Sequence, residues 1–521
     1  MMKRFPFYPY LFILYAILTP LIYNLGEVDP ALALRPLVVL LLVSTTIMLL
    51  LYVVFKDWQY AAYLVFLVLA FFFLSAHLSR FMDGFLSVPP QEVQQITLVL
   101  LGGILLVLAF KQVWSRLGGP ERAAPVLNFI LVVALISQVI FAFPKIVKGA
   151  ASLVPKAEAS VLPETGNLVK LDCSQRPDIY YIILDGYGRS DVLESVYGVD
   201  NQPFLQFLEQ KGFVVADQGH SNYIQTIYSI ASSLNFDYID PEPPGMSGQQ
   251  YFTQLIEQNR LVKELKGCGY ETYSFETGFF FTNHLQVDDY LSSGNRLNEF
   301  EGLLLAGTPL ESLGDKLNWK PPEFSYQAHR NRVRFDLDQL SRLPLRRGPK
   351  FVFAHIVSPH PPFVFDAQGN PIQPNRDYSI GDGSDYAGSW EEYRKGYAGQ
   401  VQFVDRELEK VIENILARSP TPPIIILQGD HGPGGHLDWG SPDDTCLWER
   451  TSILNAYYLP DGGTERLFPS ITPVNTFRVV QNAYFGTDLP LASNKTYFTS
   501  HQLPRQVIDI TDERNSHANC P

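Results

Sequence analysis

The sequence stretch ILQGDHGPGGHLDWG, which covers Ile426–Gly440, concentrates residues of the types that bind metal ions. Within nine residues it holds Asp430, His431, His436 and Asp438. The stretch begins inside an apolar run that predicts a buried strand, and a turn at the strand's end lets an Asp and the following His converge on one ion. Carboxylates and imidazoles are ligands of zinc and manganese. We therefore expect Asp430 and His431 to bind a divalent metal, with a plain polar turn as the alternative. His436 is a weaker candidate, with a surface loop position as its alternative, and Asp438 is expected to serve the turn.

Two other predicted strands also end in polar side chains. DIYYIIL (Asp178–Leu184) runs into Asp185, and KFVFAHIV (Lys350–Val357) is followed after two residues by His360. The carboxyl ends of parallel strands meet at one edge of a sheet, where the ligand crevice lies. We therefore expect Asp185 to supply a further oxygen ligand to the metal and His360 to lie at the same edge.

The best candidate for a nucleophile is Thr226, which lies where HSNYIQTIYSIASSLN turns helical. The free backbone N–H groups and the dipole at a helix N-terminus favour a bound phosphate or sulfate, and a metal can activate a hydroxyl there. On spacing alone, the pattern favours a plain helix cap over a nucleophile at Thr226. Arg189 and Asn222 flank the predicted ligands and are candidates to hold phosphate oxygens, with solvated surface roles as the alternative. His355, inside an apolar strand, is expected to be a hydrogen-bonded core histidine.

Short apolar runs and amphipathic stretches alternate after Arg176. The predicted strands are Asp178–Leu184, Glu271–Phe275, Lys350–Val357, Pro423–Leu427 and Ile453–Leu459. Apolar residues at three- to four-residue spacing predict helices at Gln202–Lys211, Tyr251–Lys266, Tyr326–Leu343 and Trp390–Arg418. Strands separated by helices predict an α/β/α sandwich around a mostly parallel sheet. Asp366–Tyr386, rich in Gly, Pro, Asn and Asp, is expected to be a surface loop.

The first part of the chain predicts a helical membrane domain. Five stretches lack Asp, Glu, Lys and Arg: Phe5–Gly26, Pro36–Phe55, Trp58–Ser79, Val93–Phe110 and Ala123–Pro144. Each approaches or exceeds the roughly 20 residues that cross a hydrocarbon layer as a helix. The first could instead be a signal peptide, but no small-residue cleavage site follows it and four more apolar stretches do. We therefore predict a membrane domain of five spans over residues 1–148, a linker over 149–176 and a catalytic domain over 177–521.

The charges and cysteines predict on which side of the membrane the second part of the chain lies. Lys and Arg are more frequent in the loops that follow the second and fourth spans, which predicts a cytoplasmic N-terminus and, after five crossings of the cytoplasmic membrane, an extracytoplasmic catalytic domain. All four cysteines, Cys173, Cys268, Cys446 and Cys520, lie in that domain, where disulfides can form, but the sequence leaves three pairings open. The net charge of −13 gives no basic surface for nucleic acid, so that class of partner is not expected.

The motifs together resemble those of a known family. ILDGYGR, SNYIQTIYS, PHPPF and a late GDHG follow one another in this order in the alkaline phosphatase superfamily. With five preceding spans, the chain is most similar to its sulfatase-like membrane branch, which includes lipoteichoic acid synthases and lipid A phosphoethanolamine transferases. That resemblance implies an alkaline-phosphatase-like fold for the domain and covers, at motif level, roughly Asp178–Gly486.

The resemblance also implies roles for individual residues. Asp185, Thr226, Asp430 and His431 would bind one divalent metal, Mn or Zn, and Thr226 would attack phosphorus to form a phospho-threonine. His360, and with it His436, would contact the phosphoryl group or a second metal. Two features depart from the family. The synthases carry Glu at the position of Asp185, and the C-x-P-x-R stretch from which sulfatases make formylglycine is absent from the sequence.

The expected function is therefore phosphoryl transfer at the membrane. We predict a membrane-anchored, metal-dependent phosphotransferase or phosphodiesterase that acts on a phospholipid or lipid-linked phosphate, since a lipid donor reaches a tethered enzyme from the bilayer. One alternative is a hydrolase of soluble phosphate or sulfate esters, and another is a catalytically inactive scaffold of the same fold. The sequence leaves open the head group, the acceptor, the number of metals and the oligomeric state.

Overall fold

The structure of the chain is a computed structural model. It describes residues 6–23, 33–83, 99–104, 109–116, 118–153, 169, 171–239, 248–279, 282, 286–293, 301, 304, 308, 325–374, 378–500 and 507–521. Two compact units are distinguished, the first comprising Met1–Ser160 with Arg296–Pro322 and the second Val161–Asn295 with Glu323–Pro521.

The first unit consists of apolar helices. They are α1 (Tyr8–Tyr23), α2 (Leu34–Phe55), α3 (Trp58–Asp83), α4 (Lys111–Arg116) and α5 (Gly119–Leu153), and residues 99–104 are also helical. Phe12, Met48 and Leu69 pack α1, α2 and α3 around one small core. By length and composition, Leu34–Phe55 and Trp58–Ser75 can cross a membrane. The count of five spans stays a prediction, because the predicted Val93–Phe110 lies partly outside the described residues.

A seven-stranded sheet forms the centre of the second unit. Its strands are β1 (Ile179–Leu184), β2 (Val214–Val215), β3 (Glu271–Phe275), β4 (Asp289–Leu291), β5 (Lys350–Ile356), β6 (Ile424–Gly429) and β7 (Asn455–Tyr458). They lie in the order β2-β7-β6-β1-β5-β3-β4, and a separate ribbon pairs β8 (Tyr497–Thr499) with β9 (Val507–Asp509). From β6 to β4 every pairing is parallel, whereas β7 runs antiparallel to both β6 and β2.

Helices cover both faces of this sheet. They are α6 (Ser190–Val192), α7 (Gln202–Gln210), α8 (Thr226–Asn235), α9 (Gly248–Glu257), α10 (Arg260–Gly267), α11 (Tyr326–Arg342), α12 (Trp390–Arg418), α13 (Leu447–Thr451) and α14 (Pro473–Tyr484). The side chains of β1 alternate between two cores, because successive residues of a strand point to opposite faces. Tyr180 and Ile182 pack in the core that α12 covers, and Tyr181 and Ile183 in the core that α8 covers. The second unit is thus an α/β domain with helices on both faces of a mostly parallel sheet, as predicted.

Several predicted elements need correction. The predicted helix Tyr251–Lys266 is two helices, because the Asn259 side chain accepts a hydrogen bond from the Val262 N–H at 2.8 Å and so begins a new helix, α10. The predicted linker begins too early, since α5 continues to Leu153. The disulfides are Cys173–Cys268 and Cys446–Cys520, which resolves the pairing that the sequence left open.

Candidate metal centre

Two neighbouring strands bring the first two predicted ligands together. β1 and β6 pair in parallel with Leu184 opposite Gly429, so the next residues, Asp185 and Asp430, leave the sheet side by side. The Gly186 N–H donates to Asp430 Oδ1 at 3.0 Å, which holds the two strand ends together. Asp185, Asp430 and His431 are buried, and one ligand atom from each lies within 4.8 Å of the others. The sequence prediction placed these three residues at one edge of the sheet, and the structure brings them together there.

The free atoms of this group fit a cation. Asp185 Oδ1 and Asp430 Oδ2 are buried and accept no hydrogen bond from the residues that the structure describes. His431 Nε2 lies 3.7 Å from the first and 3.3 Å from the second. Buried carboxylate oxygens without partners are costly, and a divalent ion among them would satisfy both. Burial alone would raise the pKa of Asp185, but the imidazoles of His360, His355 and His431 outweigh it and hold the pKa below its usual range.

The imidazole of His431 is oriented as a ligand. Its Nδ1 donates to the Gly432 carbonyl at 2.9 Å, which leaves the lone pair of Nε2 directed at the carboxylates. Burial lowers the pKa of His431, and the Arg450 guanidinium adds to this effect, which favours the neutral form of the ring that binds metals.

Thr226 completes the group from another element. It is the first residue of α8, after Gln225 in extended conformation, and its Oγ1 lies 3.0 Å from His431 Nε2. The hydroxyl thus adjoins the ligand set at a helix N-terminus, where backbone N–H groups and the helix dipole favour an anion. The predicted position of Thr226 at a helix start agrees with the structure, and its role as nucleophile stays a prediction.

Two further histidines flank the centre. His355 Nε2 contacts Asp185 Oδ2 at 3.1 Å, so this buried histidine on β5 fixes the orientation of a ligand rather than only filling the core. The backbone N–H of His360 donates to the Asp185 carbonyl at 3.0 Å, and its ring centroid lies 6.4 Å from that of His431. His360 is therefore next to the ligands, with its Nε2 3.9 Å from Asp382.

His436 belongs to a different cluster. Its Nδ1 lies 3.0 Å from Glu449 Oε2, and its ring packs 4.2 Å from that of Trp390. Glu449 is buried and also accepts a hydrogen bond from the Tyr197 hydroxyl. The part of the chain that the structure describes does not group His436 with the metal ligands. Asp438, as expected, serves the turn, because its Oδ1 accepts from the Gly440 N–H at 2.7 Å.

The structure gives Arg189 and Asn222 structural partners. Arg189 forms a two-pronged pair with Asp191, with both nitrogen–oxygen distances at 2.8 Å. Asn222 is buried, and its amide donates to the Lys495 carbonyl and the Tyr238 hydroxyl while it accepts from the Val474 N–H. Both hydrogens of the Asn222 amide are thus engaged with protein groups, and a role in holding phosphate stays a prediction.

Arg450 and Asp382 were missed by the sequence reasoning. Both are buried, and Arg450 Nη1 donates to Asp382 Oδ2 at 2.8 Å. Arg450 Nη2 lies 3.3 Å from His431 Nε2, so the guanidinium adjoins the metal centre. Asp382 lies in the stretch Asp366–Tyr386, which the sequence predicted to be a surface loop. The prediction of exposure is wrong at this residue, because Asp382 is buried. The loop must also pass Gly434 closely, because a Cβ there would overlap the Asp382 carboxylate.

Fold and site together define an α/β domain with a buried group of two carboxylates and one imidazole beside a threonine hydroxyl. The model of the sulfatase family matches residues 177–478, which is more than half of the chain. The chain therefore belongs to the sulfatase family. The predicted resemblance to sulfatase-like proteins is therefore confirmed.

The solved structures that are similar to this chain include periplasmic EptC domains and a sulfatase. The C-terminal periplasmic domain of EptC from Escherichia coli, in complex with zinc, is 12% identical over 68% of this chain and 100% of its own, with a TM-score of 0.45. The periplasmic domain of phosphoethanolamine transferase EptC from Campylobacter jejuni is 12% identical over 58% and 87%, with a TM-score of 0.35. A putative sulfatase from Bacteroides thetaiotaomicron is 13% identical over 63% and 78%, with a TM-score of 0.39. A search among curated protein sequences finds no match.

Proposed function

We propose that the protein is a membrane-anchored, metal-dependent phosphotransferase or phosphodiesterase that works through a covalent phospho-threonine at Thr226. The observation that carries this proposal is the position of Thr226 Oγ1, 3.0 Å from His431 Nε2 and beside two buried carboxylates with unpartnered oxygens. A nucleophilic hydroxyl, a set of metal ligands and a helix N-terminus meet at one point, and phosphoryl transfer needs all three.

The residues that would hold the cation are Asp185, Asp430, His431 and Thr226. A divalent ion bound there would neutralise charge on the phosphoryl oxygens and lower the pKa of the Thr226 hydroxyl. Two carboxylates, a hydroxyl and one imidazole form an oxygen-rich set that suits manganese and is also compatible with zinc. Among the described residues, Asp185, Asp430 and His431 form the single group of this kind, which favours one ion.

The chain's own residues would carry out the two transfer steps. Thr226 Oγ1 forms a bond to phosphorus while the bond from phosphorus to the leaving alcohol breaks, and the alcohol departs with a proton. The N–H groups at the start of α8 point at the phosphoryl oxygens and stabilise their charge. The oxygen of an acceptor alcohol or water then forms a bond to phosphorus, the bond from phosphorus to Thr226 Oγ1 breaks, and the proton of the acceptor restores the Thr226 hydroxyl. His360, next to the ligands, is placed to contact the phosphoryl group.

A lipid-linked substrate is supported by the first unit. On α2, large apolar side chains such as Leu42, Leu50 and Val54 are exposed, as is normal for a helix that faces lipid. Both disulfides lie in the second unit, and disulfides persist in oxidising compartments outside the cytoplasm. We therefore propose a protein of the cytoplasmic membrane, multi-pass, with an extracytoplasmic catalytic domain that takes its phospholipid or lipid-linked donor from the bilayer.

The cysteines argue against the usual chemistry of sulfatases. That chemistry needs formylglycine made from a free Cys or Ser, whereas all four cysteines here are paired in disulfides and the hydroxyl next to the ligands belongs to Thr226. Hydrolysis of soluble sulfate esters by that route is therefore disfavoured, although the chain belongs to the sulfatase family.

Removal of the hydroxyl tests the proposal. In the full-length protein loaded with Mn²⁺, Thr226→Ala should abolish turnover of membrane phospholipid and of bis(p-nitrophenyl) phosphate. Ser233→Ala is the matched control, because Ser233 lies two turns further along α8 and its hydroxyl donates to the Ile230 carbonyl at 3.2 Å. Turnover by Thr226→Ala equal to that of the control would show that the nucleophile lies elsewhere.

A further inference from the structure

Arg450 presents one guanidinium nitrogen to the metal centre. Its Nε donates to the Ile224 carbonyl at 3.0 Å, and its Nη1 donates to Asp382 Oδ2 at 2.8 Å and to the Gly432 carbonyl at 3.1 Å. These three bonds occupy the three hydrogens on Nε and Nη1. Nη2 carries two more hydrogens, and its one partner in the described structure is His431 Nε2, at 3.3 Å. A bound metal would take the lone pair of that nitrogen, which would leave the Nη2 hydrogens free for another acceptor.

We propose that Arg450 is a catalytic residue whose Nη2 donates to a non-bridging phosphoryl oxygen and supplies the positive charge that a second metal ion would otherwise bring. This inference rests on the proposed function, because it assigns a further residue to the same reaction. It also bears on the number of metal ions, because the guanidinium and a second ion would both supply positive charge to the same phosphoryl oxygen.

The geometry gives Arg450 access to the reacting group. Thr226 Oγ1 and Arg450 Nη2 both contact the same ring nitrogen, His431 Nε2, at 3.0 and 3.3 Å. Both atoms are therefore neighbours of this nitrogen, which places Nη2 near a phosphoryl group bonded to Oγ1. Guanidinium groups form strong, charge-assisted hydrogen bonds to phosphate oxygens.

Asp382 acts as a positioning residue for Arg450. Its Oδ1 accepts from the Tyr393 hydroxyl at 2.7 Å, while its Oδ2 accepts from Arg450, so the carboxylate is held at both ends. The indole of Trp439 lies against the guanidinium, 5.3 Å from its ring to Arg450 Cζ, and donates from Nε1 to the Asp382 carbonyl at 2.8 Å. The guanidinium therefore reaches the site in one orientation, which is what transition-state stabilisation requires.

The same ion pair opposes a second metal. Asp382 and His360 Nε2, 3.9 Å apart, are residue types that could bind an ion. However, the Arg450 guanidinium already neutralises the Asp382 carboxylate, and a further cation would meet its positive charge. One ion and one guanidinium nitrogen match the two non-bridging oxygens and the single negative charge of a phosphodiester. The substrate class that follows is a diester rather than a monoester, which carries a third oxygen and a second charge.

Arg450→Lys tests the proposal without loss of charge. A lysine can pair with Asp382, but its single nitrogen cannot reach the phosphoryl group at the same time. In the full-length protein loaded with Mn²⁺, we expect one Mn²⁺ per chain by inductively coupled plasma mass spectrometry for both wild type and variant. Inorganic phosphate, titrated by calorimetry into the Mn²⁺-loaded protein, should bind the variant at least tenfold more weakly. Turnover of bis(p-nitrophenyl) phosphate should fall roughly 100- to 1,000-fold, the range for loss of one transition-state donor.

Arg260→Lys is the matched control. Arg260 is also buried and pairs with Glu264 at 2.7 Å, but it lies beside Asn235, at the opposite end of α8 from Thr226. This variant should bind phosphate and metal as the wild type does. If Arg450→Lys does not fold, the double variant D382N/R450Q removes both buried charges together and should still bind one Mn²⁺ while its phosphate affinity falls at least tenfold.

The outcomes separate this inference from the proposed function. Two Mn²⁺ per wild-type chain, or phosphate affinity in Arg450→Lys equal to that of the wild type, would overturn the role of Arg450. Wild-type protein that binds phosphate but turns over no diester would instead refute the proposed function, and the phosphate titration would still decide whether Arg450 binds the anion.

Discussion

The histidine behind Asp185 gives the sharpest test of the metal centre. His355 Nε2 donates to Asp185 Oδ2 at 3.1 Å, and both side chains are fully buried. This bond holds the carboxylate so that Oδ1 faces His431 and the ion. A hydrogen bond to a buried charged group contributes about 1.5–3 kcal/mol, which corresponds to roughly 10- to 100-fold in a binding constant. Loss of such partners of metal ligands typically costs about 10- to 100-fold in metal affinity.

His355→Leu removes this donor and keeps an apolar side chain in the strand. We expect Mn²⁺ to bind 10- to 100-fold more weakly than to wild type, in line with these magnitudes, when measured by competition with a chelator. His329→Leu is the control, because His329 is also a buried histidine but bonds to the Val357 carbonyl at 2.9 Å instead of a ligand. Metal affinity in His355→Leu within twofold of that in His329→Leu would refute the reasoning.

Two further predictions concern stability. Burial raises the pKa of Asp405 to about 8, so the folded protein keeps the carboxyl proton at pH values where the unfolded chain has lost it. The free energy of unfolding relative to that of Asp405→Asn should therefore fall by about 1.4 kcal/mol per pH unit between about pH 5 and 8, and then level off. Melting curves of both proteins against pH check this, and a constant difference would contradict it. Cys446→Ser with Cys520→Ser opens a loop of 74 residues and should lower the free energy of unfolding by about 2–5 kcal/mol, which chemical denaturation measures; an unchanged midpoint would contradict it.

Much of the site could be predicted because its residues follow parallel strands. Asp185 comes directly after β1 and Asp430 directly after β6, and parallel strands bring such residues to one edge. The period of the apolar residues sufficed to find those strands and the long helix α12, whose predicted bounds, Trp390–Arg418, agree with the structure. The break at Asn259 was missed, because the apolar pattern continues from α9 into α10 across the capping residue.

Arg450 could not be found by the same rule. It precedes β7, which runs antiparallel to β6, so the beginning of β7 and not its end lies at the edge with the ligands. Strand direction is set by pairing and is not visible in the apolar pattern. Asp382 was missed for a related reason, since a stretch rich in Gly, Pro, Asn and Asp predicts exposure, whereas this aspartate is buried by its pairing with a distant arginine.

The central claim is that Thr226 carries the transferred group, and mass spectrometry of the protein tests it most directly. Full-length protein loaded with Mn²⁺ would be incubated with membrane phospholipid, quenched with acid, digested and mapped. We predict a phosphorylated or phospho-ester-modified peptide with the modification on Thr226, whose added mass identifies the head group, and no such peptide from Thr226→Ala. Wild-type protein that turns over the lipid while Thr226 stays unmodified under every quench time would contradict the account.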